Sequence, residues 1–169
     1  MREWLKESGA SGLDALELAD FPVVGRGVRT LRRFKEGEKI LTIPSDTLWT
    51  VEHAQNDPLL GPALRSVQPP LSVDDTLATY LLFVRSRDSG YNGPRSHLAA
   101  IPKSYSSSIF FTADELEVCA GTSLYTITKR LRQDVEEDFR ALDERLLSRH
   151  RNLFPPEKFT IEDVGMIHV

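Results

Sequence analysis

The sequence predicts an α+β chain: a small β unit with tight turns, followed by a mostly helical stretch that ends in one long amphipathic helix. Three observations predict it. Short apolar runs separated by glycine-bearing turns fill the first 45 residues or so. Leu124, Ile127, Leu131, Val135, Phe139, Leu142 and Leu146 then recur every three or four residues. Pro69-Pro70 and Pro155-Pro156 punctuate the chain into three stretches, 1–70, 71–158 and 159–169.

The elements follow in order. Met1 to Ser8 is a short helix closed by Gly9. Leu16, Leu18 and Phe21 suggest a strand. Gly25-Arg26-Gly27 reads as a turn into a second strand over Val28 to Leu31. Lys35-Glu36-Gly37-Glu38 is a further turn, in which Gly37 can take a positive φ. Lys39 to Ile43 reads as a buried strand stopped by Pro44. Short helices are expected near Val51 to Asn56 and Pro62 to Ser66.

Beyond Pro70, Ser72 with Asp75 marks a helix start before the apolar run Leu77 to Val84, with Gly90 and Gly93-Pro94 as its stop. Ser96 to Phe111 is irregular or β-like. Thr112 with Glu115 opens a helix that ends near Gly121, and the long helix runs from about Ser123 to Asn152. Thr160 with Asp163 announces one more helix, but only six residues follow Asp163. The expectation is the front portion of a larger protein, stopping partway into a helix.

Composition narrows the class. Of 169 residues, 40% are hydrophobic and 27% charged, which suits a globular domain with a real core. A net charge of −4 argues against a chain built mainly to bind nucleic acid. The single cysteine, Cys119, allows no internal disulfide, and no apolar stretch approaches the roughly 20 residues of a membrane span. A cytoplasmic or nuclear protein is expected, neither secreted nor in a membrane.

The chemistry-bearing residues are few. Gly25-Arg26-Gly27 lets a backbone approach a ligand closely, or simply makes a turn. Arg26, Arg29, Arg32, Arg33 and Lys35 meet an anion, or are outward residues of an exposed strand and turn. Cys119 has no His or Asp pattern around it and reads as packed. His53, His97, His150 and His168 lack metal-ligand spacing. Glu136-Glu137-Asp138 is a helical charge run, and no Walker phosphate loop is present. Spacing alone identifies no enzyme, metal site or catalytic residue.

Taken together, the segments resemble a known family. Gly25-Arg26-Gly27-Val28, Phe34-Lys35-Glu36-Gly37-Glu38 and Ile40-Leu41-Thr42-Ile43-Pro44 resemble the opening of a SET domain. Leu48-Trp49-Thr50-Val51-Glu52, Leu60-Gly61-Pro62, Ile101-Pro102-Lys103-Ser104-Tyr105 with Phe110-Phe111, and Phe159-Thr160-Ile161-Glu162-Asp163 are similar to its Rubisco-methyltransferase-like branch. That branch includes ribosomal-protein lysine and actin-histidine methyltransferases. The resemblance, from Trp4 to Asp163, implies the N-terminal part of a SET β-fold followed by a helical SET insertion. It implies S-adenosylmethionine as cofactor, touched by the backbone at Val24, Gly25, Arg26 and Gly27. It implies a protein substrate with a lysine or histidine acceptor; from composition, neither nucleic-acid nor membrane partners are expected. The family's Asn-His cofactor motif and channel tyrosine have no counterpart in these residues. The expectation is thus a protein-lysine N-methyltransferase fragment that lacks the catalytic half and is inactive alone. The alternative is a non-catalytic interaction module that uses the helical insertion.

Overall fold

The computed structural model describes residues 2–87, 95–99, 101 and 105–165. They form two compact units, Met1–Leu48 and Trp49–Val169. The division falls ahead of the Pro69-Pro70 punctuation, because the short helices after Trp49 pack with the later ones.

In the first unit, helix α1 (Arg2–Glu7) closes on Gly9, whose φ is +91°. Strand β1 (Leu16–Phe21) pairs antiparallel with β2 (Gly25–Thr30), from Leu16 opposite Thr30 to Phe21 opposite Gly25. The chain reverses over Pro22, Val23 and Val24, so both glycines of Gly25-Arg26-Gly27 lie in β2 rather than in a turn. Gly25 enters the strand at φ +74°, a conformation that L side chains resist.

The Gly37 turn is present. Gly37 has φ +78°, and the Glu38 side chain accepts from the Lys35 amide at 3.0 Å. The expected buried strand over Lys39 to Ile43 is not. Only Thr42 pairs, in an isolated bridge to Ser11 with N–H···O distances of 3.0 and 3.1 Å. Ile40 and Leu41 stay 44% and 39% exposed. A strand needs a ladder of backbone partners, and one bridge satisfies one residue. Gly12 makes that bridge possible: a Cβ there would stand 2.2 Å from the Ile40 carbonyl oxygen.

The second unit is helical. Thr50 caps α2 (Val51–Asn56), and ahead of α3 (Leu60–Arg65), whose N-cap position is Leu59, the Asp57 carboxylate accepts from the Leu59 and Leu60 amides at 2.9 and 2.8 Å. Ser72 caps α4 (Val73–Ser86), which ends before the glycines expected to stop it; Gly90, Gly93 and Pro94 lie outside the described residues. A four-residue helix, α5 (Arg95–Leu98), and a 3-10 turn at Ser108–Phe110 occupy the stretch read as irregular or β-like. Thr112 and Glu115 form a full capping box on α6 (Ala113–Val118). The long helix α7 (Ser123–Leu142) continues as a π turn over Asp143–Leu147 and a 3-10 turn over Ser148–His150. Thr160 and Asp163 cap each other at the start of α8 (Ile161–Gly165), and Arg85 of α4 pairs with Asp163.

The core of this unit is an aromatic stack. Phe154 meets Phe83 edge-on at 6.3 Å and Phe159 at 5.1 Å between ring centroids. Leu142, Leu146 and Leu147 close over the stack. Only the later half of the α7 stripe is used, since Leu124, Ile127 and Leu131 remain 44%, 63% and 38% exposed. The reason is a polar dock. The Thr128 hydroxyl meets that of Ser108 at 2.7 Å, and Arg132 donates to the Ile109 carbonyl at 2.9 Å and to those of Ser108 and Phe111. Polar contacts turn that part of α7, and its leucine stripe faces solvent.

Arg132 holds the 3-10 turn to α7 through charge-assisted bonds, so Arg132→Met is expected to destabilise the unit by about 1.5–3 kcal/mol. Hydrogen exchange should quicken at the Phe110 and Phe111 amides, which close the turn onto Ser107 and Ser108. Unchanged exchange there would show that the turn is held by packing alone.

Candidate functional site

The candidate site is the entrance to β2. Val23 and Val24 project into solvent at 95% and 80% exposure, and Gly25 and Arg26 are also exposed. A Cβ built on Gly25 would find nothing within 4 Å, so its backbone is open to an approaching group. Gly27 is different: a Cβ there would stand 3.0 Å from Cε2 of Phe21. The Phe21 ring lies across the strand pair on Gly27, with Gly25 directly opposite Phe21. All four residues proposed from sequence, Val24, Gly25, Arg26 and Gly27, are therefore contiguous, but only Gly25 combines positive φ with free space. Sequence reasoning treated Phe21 as a strand residue and missed its seat on Gly27. The signal was the aromatic placed six residues ahead of a glycine across a short hairpin.

The basic cluster is largely engaged locally. Arg29 donates from Nε to Glu17 at 2.6 Å across the strands. Arg32 pairs with Glu38 at 2.6 Å and stacks on Phe34 at 3.9 Å. The Arg32 guanidinium, and then the Lys35 amide, hold the Glu38 carboxyl below its ordinary range. These arginines fasten the hairpin and the Gly37 turn to themselves.

In the helical unit, Cys119 follows α6, half-buried, with its thiol directed at the Glu115 carbonyl at 3.7 Å. His97 Nδ1 accepts from Trp49 Nε1 at 2.5 Å, and His150 Nε2 lies 3.3 Å from the Ser66 hydroxyl. His168 lies outside the described residues. Burial, then the nearby Asp57 charge, pushes the Tyr80 phenol up. Glu136, Glu137 and Asp138 are exposed on α7. Among the described residues no three His, Cys, Asp or Glu side chains gather as a metal cluster. No described helix is long and apolar enough to cross a membrane.

The fold defines the class: this is the architecture of a SET domain. The chain superimposes on the crystal structure of the SET domain of LSMT bound to methyllysine and AdoHcy with a TM-score of 0.81 at 19% identity. The match covers 98% of this chain and 37% of that one. Rubisco LSMT bound to sinefungin and monomethyllysine matches with a TM-score of 0.80 at 20% identity, over the same shares.

The chain is related, more particularly, to the Rubisco-methyltransferase-like branch of the SET-domain protein methyltransferases. It is 34% identical over 125 residues to the actin-histidine N-methyltransferase of Xenopus tropicalis, a match over 72% of this chain and 20% of that protein. It is 28% identical over 162 residues to the chloroplastic [fructose-bisphosphate aldolase]-lysine N-methyltransferase of Arabidopsis thaliana, over 95% and 32%. It is 28% identical to the chloroplastic Rubisco large-subunit N-methyltransferase of Nicotiana tabacum, over 78% and 25%. The chain thus spans a third or less of the length of these curated relatives. No protein-family model matches it.

Proposed function

We propose that these 169 residues carry one wall of the cofactor site of an S-adenosylmethionine-dependent protein methyltransferase, with lysine as the acceptor. The observation that carries the reading is the open backbone at Gly25, with φ +74° and no atom within 4 Å of a Cβ position. A ligand with an amino-acid tail and a ribose can lie against such a surface, where amides and carbonyls grip it and no side chain intervenes. Val24, Arg26 and Gly27 extend that backbone on either side. Bound S-adenosylmethionine supplies the electrophilic methyl group. The protein's part is to align and desolvate the acceptor nitrogen. Residues 71–158 form the helical insertion in this reading, and a reducing compartment, cytoplasm or nucleus, suits a chain with one cysteine.

One wall grips weakly, because ordering costs must be offset by contacts. In a nuclear magnetic resonance titration, S-adenosylhomocysteine should shift amides of residues 23–28, with affinity weaker than micromolar. No shift there at millimolar ligand would overturn the reading. No methyl transfer from labelled S-adenosylmethionine to cell-extract protein is expected from these residues alone, since alignment needs both walls. In the longer relatives' context, hydrolysis of the labelled product would yield methyllysine. Methylhistidine would assign the acceptor to the other kind of relative.

A further inference from the structure

The two glycines of Gly25-Arg26-Gly27 have unlike surroundings. Gly25 has φ +74° and an empty space in front of it. Gly27 is absent from the positive-φ glycines, and its Cβ position is filled by the Phe21 ring, with Cε2 at 3.0 Å and Cδ2 at 3.3 Å. Register explains the meeting. Phe21 pairs with Gly25 and Ala19 with Gly27, so these four residues share one face of the hairpin. From its place opposite Gly25, the ring leans diagonally onto Gly27, where the absence of a side chain leaves a flat seat. An aromatic ring laid over a cross-strand glycine restores the apolar contact that the glycine lacks. Here it also decides which part of the glycine strand stays bare.

We propose that the two glycines divide their work: Gly25 presents backbone to the cofactor, while Gly27 seats Phe21, which is thereby a positioning residue of the cofactor wall. This rests on the cofactor reading above. With the ring seated, the Gly25 end of the face is left clear. With the ring displaced, it is free to swing back over its own partner, Gly25, and cover the surface offered to the ligand. Gly27 is then required for the ring, not for its own backbone conformation.

The experiment is a mutant cycle read by nuclear magnetic resonance on the 169-residue chain. A seated ring sets its Cδ2–Cε2 edge against Gly27 and shifts the facing Hα proton downfield. Phe21→Ala should abolish that shift, and Phe21→Trp should restore it. Gly27→Ala should quicken exchange at the hairpin amides by about fivefold in the presence of Phe21, and change it little in the Phe21→Ala background. Gly25→Ala should be as disruptive in either background, because its barrier is φ and not the ring.

S-adenosylhomocysteine separates positioning from a merely structural role. Phe21→Ala should reduce the ligand-induced shift at Gly25, and Phe21→Trp should recover it. A Gly27→Ala effect of the same size with and without Phe21, or an ordinary Gly27 Hα position, would overturn the division of roles. So would a Gly25 response to ligand that is indifferent to Phe21. Absence of any ligand response in the unaltered chain would instead count against the cofactor reading, and the mutant cycle would still decide whether Gly27 seats Phe21.

Discussion

Phe154→Ala is expected to destabilise the helical unit by about 3–5 kcal/mol. The side chain has no solvent exposure and is among the largest fully buried ones. It sits edge-on between Phe83 of α4 and Phe159, which immediately precedes the α8 cap. One ring therefore joins α4 to the stretch of chain that leads from α7 into α8. Removing it takes away the transfer free energy of a phenyl group and leaves a cavity whose walls are fixed in helices and cannot collapse inward. Against a total of ~5–15 kcal/mol for a domain, that loss brings the unit close to unfolding. Urea denaturation followed by helix circular dichroism would measure it. Phe154→Leu keeps much of the volume and should lose less than half as much. A loss below ~1 kcal/mol for the alanine variant would mean that the aromatic stack is not the keystone of this core.

The helices were legible because their signals are local. Thr50, Ser72, Thr112 and Thr122 each cap the helix they precede, through bonds that span three residues. The face of α7 was only half legible. Its leucine stripe promises burial from Leu124 onward, yet Thr128 and Arg132 turn that half toward the Ser108–Phe110 turn. A periodicity argument weighs apolar residues and cannot know that a distant turn offers three carbonyls to one guanidinium. The strand expected at Lys39 to Ile43 failed for the complementary reason: apolar composition marks a segment that wants partners, while the ladder itself lies elsewhere in the chain. For the site, the glycines could be read and their inequality could not. That depends on φ at Gly25 and on where the Phe21 ring lands, and both are set by the register of the hairpin.

Hydrogen exchange is expected to separate the two units by at least about a hundredfold. In α4, the residues Tyr80, Leu82, Phe83 and Val84 are buried, with exposures of 0–7%, and their amides exchange only when the helical unit opens as a whole. With ~5 kcal/mol of stability, that corresponds to protection of ~10³ or more. The hairpin β1–β2 has two strands, and Leu18 and Val28, paired on one face, are 66% and 60% exposed. A two-stranded hairpin is marginal in water, and without a covered apolar face its protection should be ~10 or less. The Glu17–Arg29 pair lies at the surface and adds little. Amides over Leu16–Phe21 and Gly25–Thr30 should therefore exchange early, and those of α4 last. Exchange across β2 as slow as that of Phe83 in a monomeric sample would show that the hairpin holds itself. The apolar residues at Leu18, Val28, Ile40 and Leu41 would then need no cover to be stable.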